Sequence, residues 1–117
     1  MGKAGRLTIA TLVALVAAWL VVGATVSAAS TTWHDKIVTN TSTGLFHYKP
    51  KSLTIHKGDT VKWTNKTSVL HSVTFNNGSY SKNVAPGSTI GRTFKHIGTF
   101  HYHCIFHSYM KGTVSVT

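Results

Sequence analysis

From Leu7 to Ala29 the chain carries no charged residue, and beyond that run its apolar residues recur at every second position. The two patterns predict different structures. Lys3 and Arg6 precede the uncharged run, and small residues close it in Val26-Ser27-Ala28-Ala29-Ser30. A basic start, an apolar middle and a small-residue end read as a secretory signal. The run also exceeds the usual signal core of ~7–15 residues and matches the roughly 20 residues that span a bilayer. Residues 1–29 are therefore a cleaved signal peptide or an N-terminal membrane anchor, with the tether lying in residues 7–29. In both cases the basic start stays in the cytoplasm and the remainder is exported to the periplasmic or extracellular side.

Residues 30–43 are rich in Ser and Thr and read as a linker or a first strand. Residues 44–117 carry the β pattern. Leu53 and Ile55 alternate with polar residues, as do Val61 and Trp63, then His71, Val73 and Phe75, then Ile90, Arg92 and Phe94. Turn signals separate these runs at Lys57-Gly58-Asp59, Asn76-Asn77-Gly78 and Ala85-Pro86-Gly87. Gly98 opens Thr99 to Cys104, and Gly112 opens Thr113 to Val116. Short strands with turns about every ten residues predict an all-β sandwich or barrel. After Ala29 no stretch has helical periodicity of useful length. The chain of 117 residues makes one small domain, and small cores are often reinforced by a metal or a disulfide.

Charge narrows the function. Lys and Arg number 12, Asp and Glu 2, and the 2 acids are both Asp. A basic surface attracts anionic partners and speeds encounter with them. The basic residues are scattered and the domain is exported, which argues against nucleic acid. An acidic redox protein, or an anionic membrane or cell-wall surface, fits better, and solubility alone is the plain alternative. With no visible nucleophile–base pair and almost no acid chemistry, the chain does not read as an enzyme.

The chemistry concentrates in Cys104-Ile105-Phe106-His107-Ser108-Tyr109-Met110. Cys104 is the only cysteine, and Met110 the only methionine besides the initiator. An unpaired Cys in an exported protein is reactive, linked to another chain, or occupied; its plain alternative is a small buried hydrophobe. Side chains alternate along a strand, so Phe100, Tyr102 and Cys104 share a face. If the two aromatics point into the core, the thiol lies inside too. His71 opens an alternating run upstream. Two His, one Cys and a weak axial Met are the ligand set of a type 1 blue-copper site. In that reading Cys104 gives the short sulfur bond, His71 and His107 complete the plane, and Met110 sits above it. The set would hold one copper ion as Cu(I) or Cu(II) for single-electron transfer.

The same residues resemble a known family, the cupredoxins of the plastocyanin and amicyanin group, over roughly Phe46 to Val116. Gly58 to Asn65 looks like the family's strand before the first ligand. His71-Ser72-Val73-Thr74-Phe75 resembles the segment carrying that His, and Gly98 to Cys104 the strand leading to the Cys. The two-residue gap from His107 to Met110 is similar to the short loop of amicyanin. The resemblance implies an eight-stranded Greek-key sandwich, one copper, and electron transfer between larger redox proteins. Carried over, the ligands are His71, Cys104, His107 and Met110.

Two positions depart from that pattern. The short-loop relatives often have Pro on both sides of the second His, where this chain has Phe106 and Ser108. Phe106 has an amide N–H that proline lacks, which predicts a bond to the Cys104 sulfur that favours Cu(I). Ser72 stands where many relatives have Asn, and its hydroxyl could bond to the Cys104 loop.

On the loop, Phe106, Tyr109 and Met110 would surround His107 with apolar surface, a port for electrons. His34, His47, His56, His96, His101 and His103 read as surface or strand residues; His101 and His103 could grip a zinc or a second copper weakly. Asn40, Asn65 and Asn77 begin glycosylation sequons of the kind a Ser/Thr-rich chain produces by chance. The leading reading is a monomeric, exported blue-copper electron carrier, soluble or anchored. Its rivals are a module that stores or delivers copper, for example to a respiratory oxidase, and a cell-surface sandwich whose ligands serve structure.

Overall fold

The computed structural model describes residues 28–117, so the N-terminal signal or anchor lies outside the described residues. The described chain is all β, in the order β1 (Thr32–Thr39), β2 (Phe46–Lys49), β3 (Ser52–Ile55), β4 (Thr60–Asn65), β5 (His71–Phe75), β6 (Ser81–Val84), β7 (Thr89–Thr93), β8 (Gly98–His103) and β9 (Lys111–Val116). One sheet has the order β2-β1-β4-β7 and the other β3-β9-β8-β5-β6. Both sheets are mixed. β1 runs parallel to β4, and β3 parallel to β9, while the other neighbours are antiparallel.

The described residues form nine strands where the family resemblance implies eight. The stretch from Phe46 to Ile55 is broken at Pro50, so that β2 pairs with β1 in one sheet and β3 pairs with β9 in the other. Proline has no N–H for a ladder bond, and the chain changes sheets there. The Ser/Thr-rich segment holds an eight-residue strand, β1, between β2 and β4. Its Asp35 and Ile37 face inward. β6 escaped the alternation pattern because only Val84 among its residues is buried.

The core lies between the sheets. Trp63, Phe75, Tyr102 and Tyr48 form its aromatic centre, with Trp63–Tyr102 centroids 5.5 Å apart and Tyr48–Tyr102 4.7 Å apart, both edge to face. Such pairs add to the stabilisation from buried area. The polar tips are bonded: Trp63 Nε1 donates to the Tyr102 hydroxyl at 3.2 Å, and the Tyr48 hydroxyl donates to the Ser72 carbonyl at 2.6 Å. Gly112 faces Tyr102 across the ladder, and a Cβ there would fall within the Tyr102 ring. At the far end Asp59 accepts Thr31 N–H, Trp33 Nε1–H and His56 N–H, which ties the start of β1 to the turn after β3. Those donors hold its carboxyl below the usual range.

Asp35 is a buried acid, 1% exposed. Its Oδ2 accepts a long hydrogen bond from the Tyr102 hydroxyl at 3.4 Å, and its Oδ1 is buried without a partner. Burial therefore favours the neutral acid and lifts its pKa from 3.8 to about 7. The folded protein holds this proton more tightly than the unfolded chain does. The contribution to stability is full below about pH 3.8 and is lost as the pH rises to about 7. Three pH units correspond to at most ~4 kcal/mol. Asp35→Asn should accordingly gain thermal stability over the native chain, and by more at pH 8 than at pH 5. Calorimetry at the two pH values checks this; an equal difference at both would show that the fold does not raise the pKa of Asp35. Gly112→Ala should lower stability by about 1–3 kcal/mol through overpacking against Tyr102, read as a lower denaturation midpoint.

Candidate metal centre

One end of the sandwich gathers the reactive residues. β8 carries Tyr102 inward, and Cys104 continues the same face just beyond the strand, fully buried. The alternation read from the sequence holds: His101 is exposed and His103 half-buried on the opposite face. After Cys104 the chain turns back before β9. The Cys104 amide bonds to the Met110 carbonyl at 3.2 Å, and the Met110 amide to the His107 carbonyl at 2.9 Å. These bonds close a tight loop, bring buried Met110 beside Cys104 and leave His107 half-exposed. His71 opens β5, the neighbour of β8.

The three donors converge. Cys104 Sγ lies 3.8 Å from His71 Nδ1 and 3.6 Å from His107 Nδ1, and all three ligand atoms lie within 4.8 Å of one another. Metal bonds of about 2.0–2.3 Å meeting near the trigonal angle would set sulfur and nitrogen ~3.5–3.8 Å apart. The spacing fits a first-row metal ion, and thiolate, imidazole and thioether suit copper in both its states. His71, Cys104, His107 and Met110 are positioned as a type 1 copper site.

Residues around the donors fix their state. Burial, and next the charge of His107, lower the His71 pKa to about 4, so its imidazole is neutral near pH 7. Its Nε2 lies 3.0 Å from Thr67 Oγ1. The Thr67 hydroxyl donates to Asn65 Oδ1 at 2.8 Å, so it accepts from His71. The proton of His71 is thereby placed on Nε2 and the lone pair of Nδ1 faces Cys104. Asn65 is itself locked, donating to the Val69 and Val84 carbonyls at 2.7 and 2.9 Å and accepting the Thr67 amide at 2.9 Å. Phe46 stands edge-on to both imidazoles, with centroids 4.6 Å from His71 and 5.0 Å from His107. Its amide donates to the Tyr109 hydroxyl at 3.1 Å.

Sequence reasoning missed Thr67 and Phe46, since neither is a ligand type. The sequon at Asn65 is a chance match, since Asn65 is fully buried with its side-chain amide committed. The expected bond from the Phe106 amide to sulfur is also corrected. The amide that reaches Cys104 Sγ is that of Ser72, at 3.3 Å, because β5 runs beside the sulfur while the loop carries Phe106 outward, 47% exposed. Ser72 does bond to the Cys104 loop, its hydroxyl accepting the Ile105 amide at 2.9 Å. His101 and His103 point away from the donor cluster, their Nδ1 atoms on Thr113 Oγ1 and Asn76 Oδ1 at 3.1 and 2.6 Å.

A two-sheet sandwich with a buried thiol between two imidazoles at one end defines a small protein of the blue-copper class. Residues 12–116 match the family model described as a cupredoxin-like domain, and the chain belongs to the cupredoxin family. It is 33% identical over 75 residues to amicyanin of Paracoccus denitrificans, covering 59% of this chain and 57% of that protein. The chain thus spans little more than half the length of that relative. It is 30% identical over 87 residues to plastocyanin of Scenedesmus fuscus, covering 62% of this chain and 89% of that protein. Among solved structures, a purple cupredoxin from Nitrosopumilus maritimus superposes with a TM-score of 0.64 at 29% identity, over 73% of this chain and 99% of that one.

The Thr67 contact has a measurable consequence. Thr67→Val removes the acceptor for His71 Nε2–H while keeping the side chain's shape. Copper affinity should fall about 10–100-fold, the usual cost of losing a ligand's outer partner, and the metal-free melting temperature should fall as well, because the same hydroxyl bonds Asn65. Competition titration against a chelator reads this, and unaltered affinity would mean that Thr67 does not orient His71.

Proposed function

We propose that this protein is a type 1 blue-copper electron carrier, not an enzyme, which passes single electrons between redox proteins outside the cytoplasmic membrane. One observation carries the reading. A thiol with no solvent exposure lies between two imidazoles, of which only His107 reaches the surface. His71, Cys104, His107 and Met110 would hold the ion. Bound there, copper supplies a one-electron couple.

The chain's own residues do the rest. Cys104 and His71 are closed to water. The Ser72 amide donates to the sulfur and stabilises its negative charge. Asn65, Thr67 and Phe46 keep the imidazoles in place, so that little has to move when the charge of the centre changes. At the surface, Leu70, Ile105, Phe106 and Tyr109 are exposed on the segments that carry the donors. Apolar side chains beside the half-exposed His107 suit close, dry contact with a partner. Met110 does not join them, being 1% exposed.

The basic balance of the chain supports redox partners with acidic docking surfaces, not nucleic acid, and the carrier acts as a monomer. The amicyanin and plastocyanin likeness, with the uncharged run at residues 7–29, supports export by residues 1–29 as cleaved signal or retained anchor. Residues 44–117 then hold the whole donor set.

Copper titration of the full chain tests the reading. One equivalent of Cu(II) should give the intense visible band of a Cu(II)–thiolate bond and a reversible one-electron couple. Cys104→Ser should abolish the band. Copper taken up without colour would favour storage or delivery instead, and no uptake would leave a structural sandwich.

A further inference from the structure

The outer face of the β3-β9-β8-β5-β6 sheet carries a groove at the metal end, with the buried Cys104 among its lining residues. It encloses about 580 Å³, and Lys51, His101, His103 and Lys111 stand along it. Lys111 pairs across the ladder with His103, and Thr113 with His101. The Thr113 amide bonds to the Lys51 carbonyl, which brings Lys51 into the same row. Asn76 Oδ1 and Thr113 Oγ1 hold the two imidazoles in place.

Lys51 and Lys111 have no carboxylate beside them. The chain has 2 acidic residues, and both are buried elsewhere. Asp35 lies in the core, and Asp59 bonds Thr31, Trp33 and His56 at the opposite end. The groove also adjoins apolar surface: Ile105 lines it, and Phe106 follows at 47% exposure. Its size is several times that of an inorganic anion and falls in the range that encloses a ligand of several residues.

We propose that this groove binds an acidic segment of a partner protein, its carboxylates on Lys51 and Lys111 and its apolar neighbours on Ile105 and Phe106. That the partner is a redox protein rests on the electron-carrier reading; the binding itself does not. Charge complementarity of this kind steers encounter and fixes orientation more than it adds affinity.

A hexaglutamate peptide titrated into the isotope-labelled full chain tests the groove. The largest amide shifts should fall on Lys51, His101, His103 and Lys111, and affinity should drop with added salt. Lys51→Gln with Lys111→Gln should weaken binding about tenfold, since each change removes one exposed ion pair with the peptide. Lys57→Gln with Lys95→Gln, at the opposite end, should change it less than twofold. Equal losses in the two double variants would overturn the proposal, since binding would then follow net charge alone. So would inorganic phosphate binding the same four residues as tightly as the peptide, or anionic phosphatidylglycerol vesicles engaging them where the peptide does not. The carrier reading fails separately: a chain that binds the peptide but stays colourless with copper overturns that reading and leaves the groove intact.

Discussion

The architecture at the functional end depends on one constraint: a sulfur must lie beyond the reach of water and still face two imidazoles. β8 meets it by carrying its inward face on to Cys104, two residues past Tyr102 and just beyond the strand. Ser72 meets the rest. Its amide donates to the sulfur and its hydroxyl accepts the Ile105 amide, so one residue of β5 clamps both the ligand and the start of its loop. His71 precedes Ser72 on the same strand. The position of the first imidazole relative to the sulfur is therefore set by sheet pairing rather than by any loop.

That clamp is joined to the core by hydrogen bonds. The Tyr48 hydroxyl bonds the Ser72 carbonyl, and the Tyr48 ring packs on Tyr102, which bonds Trp63. From the other sheet Asn65 closes β4, and Thr67 just beyond it reaches the outer nitrogen of His71. Close-packed interiors resist small displacements. A donor set built on such a frame keeps its geometry when its charge changes by one, which is what single-electron transfer requires. Of the four donors only His107, on the loop between β8 and β9, reaches solvent.

Charge is divided as sharply as polarity. One acid is sealed in the core and the other is consumed in stapling the start of β1. The described surface is left with cations and histidines, and part of that charge lines a groove beside the metal end. Placing the carboxylates inside thus shapes the outside. A chain with the same lysines but exposed acids would neutralise its own groove.

The sequence by itself determined the all-β class, the inward face of β8 and the four residues placed at the metal end. These follow from period-two alternation, from turn residues, and from donor types that are scarce in the chain. It could not show that Pro50 divides one extended run between two sheets, nor choose between linker and first strand for the segment from Ser30 to Thr43, which supplies β1 inside a sheet. Pairing partners are chosen by the packing of the whole sandwich, not by local pattern. Nor could it show that Ser72 rather than Phe106 bonds the sulfur, that Thr67 sets the proton on His71, or that Asp35 is buried with its pKa raised. Each of those depends on residues distant in the chain meeting within hydrogen-bond distance, and only the closed tertiary structure brings them together.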